Sequence, residues 1–355
     1  MTKLISYLIL LLMVHTGSGE KQKLDTPLDK GAQYGWAVDM SGDFLVVSGP
    51  GYYHRVKGKN HRCGTVLVFK KQSQNTYSLV QKILPPNPSV QGFFGGSVGI
   101  NGNDLLIGDV SDKLDPESIG SYDSAGAVYA YRLDKKSGMW KFVQKIVKEY
   151  RSVSDAFGSH IALNDSLAIV TTGGNKSGAL FVLKKNQNNN WEIINTLSEG
   201  ITQIGRVALD SNRVIFSSDL NLSAQITLGL AKWKVVTSTI DARGHFSDFK
   251  VVAPRNRYKG RKFGHSALAL SGDICFVNSY FNPENGERES NRGNVHMFKL
   301  DHSSGNWEEK QKLVSPDVNK LDYFGSSIDY DNGHLVIGAL GDNFNEKKEL
   351  VEYKG

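Results

Sequence analysis

The sequence predicts an all-β protein: a six-bladed β-propeller of four-stranded antiparallel blades, closed by pairing of its N- and C-terminal strands. The first observation behind this is a phrase that recurs along the chain. An aromatic-Gly pair leads into a short apolar segment, a tight polar turn and a second apolar run ending in small residues, as in Phe93–Val110. It returns at Tyr34–Pro50, Phe157–Gly173, Ile204–Asp219, Phe263–Ser279 and Phe324–Leu340. The marker glycines Gly35, Gly95, Gly158, Gly205, Gly264 and Gly325 are spaced 60, 63, 47, 59 and 61 residues apart. A period of that size is one supersecondary unit repeated, each unit burying its face against the next. The second observation is a pair of contrasting strand patterns within each unit. The third is that the two ends of the chain complete one another.

Taken in order, residues 1–19 read as a secretory signal. Lys3 supplies the positive start, Leu4–Val14 is apolar apart from Ser6, and Gly17 and Gly19 give small residues before a cut at Glu20. Eleven residues are too few for the ~20 that span a bilayer, and no later run approaches that length. The mature chain is therefore expected to be residues 20–355, secreted and without a membrane span.

In the second repeat, strand a is Gly96–Ile100, the turn is Asn101–Asp104, and strand b is Leu105–Gly108. A long polar loop leads to strand c, Ala127–Leu133, and a hairpin around Ser137-Gly138 leads to strand d, Trp140–Val147. The c strands recur at Thr65–Lys71, Ala179–Lys185 and Asn294–Leu300 with the alternation of a strand covered on one face. The b strands are unbroken apolar runs (FLVV, LLI, LAIV, VIF, ICFV, LVI), the mark of strands buried on both faces. Strand d of the fourth repeat is assigned to Phe246–Ala253. Trp140, Trp191 and Trp307 open d strands, and recurrence at one position points to packing. Consecutive four-stranded units of this kind describe a propeller. The last repeat ends at Leu350–Gly355, in strand c, while Glu20–Leu24 repeats the EKQKL of Glu309–Leu313 in strand d of the fifth repeat. The N-terminal segment is thus expected to add the missing strand and hide both open edges.

The aromatic-Gly start and the Gly-Ala-Leu or Gly-Pro-Gly end of strand b resemble the FG-GAP repeats of integrin α-subunit propellers, most nearly a secreted, bacterial-type variant of them. The resemblance covers nearly all of Glu20–Gly355 and is weakest in the fourth repeat, where IGRVAL replaces the aromatic-Gly. It implies an extracellular binding or adhesion module. It also implies an architectural role for the marker glycines, through positive φ or close approach. Integrin-type repeats often carry a D-x-D-x-D-G calcium loop between strands a and b. The turns here, such as Ser41-Gly-Asp, Asn101-Gly-Asn-Asp and Asp331-Asn-Gly, do not offer the six to eight oxygens calcium takes. Neither a metal nor a cofactor is assigned.

The b–c loops and d–a connections share one face, and loops on a rigid scaffold are where binding resides. Two basic segments lie there. One carries His54, Arg55, Lys57, Lys59, His61 and Arg62, with Tyr52 and Tyr53 as stacking surface. The other carries Arg255, Arg257, Lys259, Arg261 and Lys262, with Tyr258. In a closed six-blade ring the two could flank one ligand. In a secreted chain of net charge +6, or +5 without Lys3, they point to an anionic glycan or a surface protein rather than nucleic acid. The spacing of His54, His61 and Cys63 fits no closed zinc site. The acidic residues Asp109, Asp112, Asp115, Glu117 and Asp123 of the second b–c loop read as solvated charge, with a cation held with help from backbone carbonyls as the alternative. Asn164, Asn175 and Asn221 head glycosylation sequons. Cys63, in a polar loop, and Cys275, in an apolar run, are not expected to pair. Two further classes stay open: a polysaccharide hydrolase or lyase, for which no carboxylate pair stands out, and a structural matrix component. Oligomeric state is not specified by the sequence.

Overall fold

The computed structural model describes residues 31–56, 58–73, 76–88, 91–113, 123–173, 178–201, 203–219, 233–254, 263–279, 293–314, 323–331 and 334–339. All regular structure among them is β. Blade one consists of β1 (Val38–Ser41), β2 (Phe44–Ser48), β5 (Val66–Ser73) and β6 (Thr76–Ile83), with a separate hairpin of β3 (Tyr53–Val56) and β4 (Lys59–Arg62). Blade two is β7 (Phe94–Asn101), β8 (Asp104–Asp109), β9 (Ala127–Asp134) and β10 (Met139–Ile146). Blade three is β11 (Phe157–Leu163), β12 (Leu167–Thr172), β13 (Leu180–Lys185) and β14 (Trp191–Leu197). Blade four is β15 (Ile204–Asp210), β16 (Arg213–Ser218), β17 (Lys234–Ile240) and β18 (Phe246–Val252). Blade five is β19 (Phe263–Ser271), β20 (Ile274–Ser279), β21 (Asn294–Asp301) and β22 (Asn306–Val314). A two-stranded sheet of β23 (Phe324–Asp331) and β24 (His334–Ala339) follows. The chain divides into two compact units, up to Thr196 and from Leu197.

Five four-stranded blades are therefore seen where six were expected. Among the described residues the sixth repeat shows its a–b pair. Its expected third strand at 350–355, the expected N-terminal strand at 20–24 and the expected signal segment at 1–19 lie outside the described residues.

Within each unit the b strands lie deepest. Every residue of β8 and β12 is buried, and alternate residues serve different neighbours. Leu105 and Ile107 pack with Val46, Val66 and Val68 of blade one, whereas Leu106 packs with Ala168, Val170 and Phe181 of blade three. In the second unit Val277 and Phe298 pack against Ile215 and Val235, and Phe276 and Val295 against Ile328 and Ile337. Truncating such a side chain to Ala costs ~2–5 kcal/mol. Between β1 and β2, β7 and β8, and β19 and β20 the turn is two residues long, opened by Gly42, Gly102 or Gly272 at φ near +55°. This is the sign of φ that matches the strand twist.

The aromatic-Gly marker is a β-bulge. The a–b register shifts just beyond it in the second to sixth repeats, between Phe94 and Ser97, Phe157 and Ile161, Ile204 and Val207, Phe263 and Leu268, and Phe324 and Ser327. Gly35, Gly95, Gly158, Gly264 and Gly325 all have φ between +70° and +91°, which glycine adopts without penalty. Gly205 departs: its φ is not positive, and glycine is needed there for proximity. A Cβ would lie 2.4 Å from Ser217 Oγ and 2.7 Å from the Trp233 ring.

The bulge docks against a second glycine, at the entry to strand c of the preceding blade. Gly64 and Gly126 form parallel bridges with Phe94 and Phe157. A Cβ on Gly64, Gly126 or Gly293 would lie 2.1, 2.2 or 1.9 Å from the carbonyl oxygen of Phe94, Phe157 or Phe324. Further out, a glutamine joins the d strands of consecutive blades. Gln81 Nε2 donates to the Trp140 carbonyl at 2.9 Å, and its Oε1 accepts the Trp140 N–H at 2.7 Å. Gln144 does the same to Trp191, at 2.9 and 2.8 Å. Trp140, Trp191 and Trp307 are themselves buried.

Gly126→Val is expected to cost at least ~3 kcal/mol or to prevent folding, since backbone occupies the space. Gly138→Asn, at φ +70° with no atom within 4 Å, should cost no more than about 1 kcal/mol. Urea melts of the two variants check this. Gln144→Leu should cost ~1–3 kcal/mol, because two main-chain groups of Trp191 lose a partner.

Candidate functional site

The basic segment of blade one is not an irregular loop. Its residues form the β3–β4 hairpin, in which Tyr53 lies opposite Arg62, His54 opposite His61, Arg55 opposite Asn60 and Val56 opposite Lys59. Residues directly opposite share a side of the ribbon, so Tyr53, Arg55 and Arg62 fall on one side and His54 and His61 on the other. Arg55 is exposed and its Nε donates to the Gly58 carbonyl at 3.4 Å, closing the hairpin turn. Lys57 and Arg255, Arg257, Lys259, Arg261 and Lys262 lie outside the described residues, as does Tyr258. His61 Nδ1 is buried without a hydrogen-bond partner. Cys63 is fully buried at the base of the hairpin, contrary to its expected place in a polar loop, and burial pushes its thiol pKa up. Cys63 and Cys275 are both free thiols.

Arg62 is the residue around which the face is built. Its guanidinium lies over the Phe93 ring, 5.4 Å from the centroid, and Nη2 donates to Gln33 Oε1 at 3.1 Å. Trp36 meets Phe93 edge-to-face at 5.5 Å. The result is a row of Tyr53, Arg62, Phe93 and Trp36, with Tyr53 57% and Trp36 55% exposed. Large aromatics at that exposure, alternating with a held arginine, offer flat apolar faces and a planar cation together. Tyr52, by contrast, is covered: Lys82 Nζ sits 3.7 Å from its ring centroid. Sequence reasoning missed Trp36 and Phe93 because both belong to aromatic-Gly markers, read as architecture. Two signals were present. Trp36 is the one tryptophan that follows a marker glycine, and Phe93-Phe94 doubles the aromatic.

The acidic loop of blade two also differs from expectation. Asp109 and Asp112 are 3% and 6% exposed rather than solvated. Asp112 accepts from Tyr129 Oη at 2.5 Å and Lys145 Nζ at 2.8 Å, and pairs with Arg151 Nη2 at 3.4 Å. Arg151 also donates to the Gly126 carbonyl at 3.2 Å, tying the network to the inter-blade glycine. Asp109 accepts the N–H groups of Phe93 and Ser111 at 2.9 and 3.0 Å, so it holds the backbone of the aromatic row. Burial above all, with the nearby Asp112 charge, pushes its pKa up to about 7. The partners that make this network come from β9, β10 and the segment beyond, which spacing along the loop could not reveal. Asp123 is exposed and lies 4.0 Å from Lys113; Asp115 and Glu117 lie outside the described residues. Among the described residues no group of three His, Cys, Asp or Glu is placed to hold a metal ion. Asn164 sits in the β11–β12 turn, its Oδ1 accepting the N–H groups of Ser166 and Leu167 at 2.9 Å. Asn175 and Asn221 lie outside the described residues.

Two outcomes follow from the network. Lys145→Met leaves the buried Asp112 short of a cation and should cost ~3–5 kcal/mol in denaturant melts. Asp109 has a folded pKa above its unfolded one, so its contribution is fully present below about pH 4 and is lost as pH rises through about 7. Wild type should therefore gain melting temperature relative to Asp109→Asn as pH falls from 8 to 5. A parallel pH dependence in the two proteins would show that Asp109 is not the group responsible.

The FG-GAP repeat family model matches residues 307–349, from β22 through the sixth repeat. No curated protein matches. Among solved structures, a protein of Lactobacillus plantarum is similar over 84% of this chain and 75% of its own, at 14% identity and a TM-score of 0.48. The matched segment is thus similar to an FG-GAP repeat, and the five four-stranded antiparallel sheets among the described residues are blades of the β-propeller kind.

Proposed function

We propose that the protein is a secreted, non-catalytic binding module that recognises an anionic glycan, or a surface protein bearing one, through the β3–β4 face of blade one. The observation that carries this is the row of Tyr53, Arg62, Phe93 and Trp36 beside Arg55, with Tyr53 and Trp36 exposed and Arg62 and Phe93 half-buried between them. Sugar rings stack on exposed aromatic faces, and carboxylate or sulfate groups pair with arginine. The buried carboxylates Asp109 and Asp112 are engaged by Phe93, Ser111, Tyr129 and Lys145, an arrangement that serves positioning. The ring is completed as six blades when Glu20–Leu24 adds a strand to the sixth repeat. The signal at 1–19 and the sequons at Asn164, Asn175 and Asn221 accord with an extracellular destination.

Heparin-agarose elution tests the binding face. Arg55→Glu with Arg62→Glu should elute at clearly lower salt, since exposed charges are screened over ~8 Å at physiological ionic strength. Trp36→Ala should weaken oligosaccharide binding about tenfold. Stability should change by no more than about 1 kcal/mol. Ser41→Glu and Ser271→Glu, in the a–b turns, are controls expected to leave elution unchanged. Elution of all variants with wild type would discard the proposal. Ring completion is checked separately: deletion of Glu20–Leu28 should abolish cooperative unfolding, and an unchanged melting midpoint would count against it.

A further inference from the structure

The repeat pattern breaks at one seam inside the second unit. Gln81 lies opposite Val68 and Gln144 opposite Ala130, and each reaches the main chain of the next tryptophan. In blade four the same register position, opposite Thr237, is held by Lys250. An ammonium only donates, so Lys250 cannot both donate to and accept from the main chain of Trp307. At this seam a groove of about 210 Å³ lies between blades four and five, with Arg213, Thr237, Thr239, Lys250, His302 and Trp307 among its walls.

The groove is polar and its groups are held in place. Trp307 Nε1 donates to Thr237 Oγ1 at 2.8 Å, whereas the buried indole nitrogens of Trp140 and Trp191 have no hydrogen-bond partner. Arg213 Nη1 donates to Asp273 Oδ1 at 3.1 Å and to the Gly272 carbonyl at 2.9 Å, and His302 Nε2 lies 2.6 Å from Asp273 Oδ2. Gly305 leaves room for the Lys250 ammonium, which a Cβ there would approach to 3.0 Å. Lys250 makes an ion pair with Asp248 at 3.2 Å, and that carboxylate is itself half exposed. Hydroxyls, a guanidinium-carboxylate-imidazole group and an ammonium together match a polyol that carries one negative charge. The volume falls below the ~300–1,000 Å³ typical of drug-sized ligands, which limits the occupant to one ring.

We propose that this groove binds a single carboxylated sugar, a hexuronate. Its carboxylate meets Lys250, and its hydroxyls meet Thr237, Thr239 and the Arg213–Asp273–His302 group. The inference is independent of the blade-one face, which lies in the other unit.

Titration of the full chain with glucuronate, with glucose as control, tests it by calorimetry and by the Trp307 indole N–H resonance. Glucuronate should bind saturably, shift that resonance, and bind at least tenfold more tightly than glucose. Lys250→Gln introduces the residue found at the seams of blades one and two (Gln81 and Gln144) and should close the groove, weakening glucuronate at least tenfold with an unchanged or higher melting temperature. Lys250→Met should lose the preference for glucuronate over glucose. The proposal is overturned by an unmoved Trp307 resonance in the wild-type protein, by equal affinity for the two sugars, or by undiminished binding in Lys250→Gln.

Discussion

The structure depends on backbone meeting backbone where one blade enters the next. A glycine before strand c presents no Cβ, and the bulged aromatic of the following blade puts its carbonyl and N–H into that space, at Gly64 and Phe94, Gly126 and Phe157, and Gly293 and Phe324. No side chain can substitute, because the approach is closer than any Cβ contact allows. The bulge glycine then turns strand a so that its apolar residues reach the interface. At these three junctions a bulge glycine at positive φ and a strand-c glycine without a Cβ thus set the blade-to-blade spacing. The apolar layers of Val, Leu and Ile fill a gap whose width the backbone has already fixed.

Further from that contact the seams are free to differ, and chemistry enters there. Blades one and two are joined through Phe44 stacked edge-on to Trp140 and through Gln81. Blades two and three use Asp104 paired with Arg132 and Lys185, and Gln144. Blades four and five use Arg213 with Asp273, and there Lys250 stands in the glutamine position. The same division holds at the other end of the blades. The b–c connections vary from the β3–β4 hairpin to the buried Asp109–Asp112 network, and the aromatic row rests on both. A rigid inner contact lets the periphery change without moving the blades.

The order of strands was legible in the sequence because period-2 alternation and unbroken apolar runs are local properties. Even the weak fourth repeat gave its last strand at Phe246–Val252, within a residue of the expected end. What could not be read were contacts between residues distant in the chain. Asp109 and Asp112 sit among acidic neighbours in sequence and among Tyr129, Lys145 and Arg151 in space. Tyr52 looked available for stacking until Lys82 was placed on it. Trp36 was hidden by its own motif, since a residue beside a structural glycine reads as structural. The β3–β4 hairpin lacks apolar alternation, so its basic residues signalled a loop.

The two buried thiols have a consequence of their own. Cys63 closes the base of the β3–β4 hairpin in one unit, and Cys275 lies in the centre of blade five in the other. A thiol sealed this way reacts with a reagent only when its surroundings open, so its labelling rate reports the free energy of that local opening. The chain therefore carries a native clock in each unit, one beneath the candidate binding face and one in a core strand. Ligand held by the hairpin would slow the first and leave the second running.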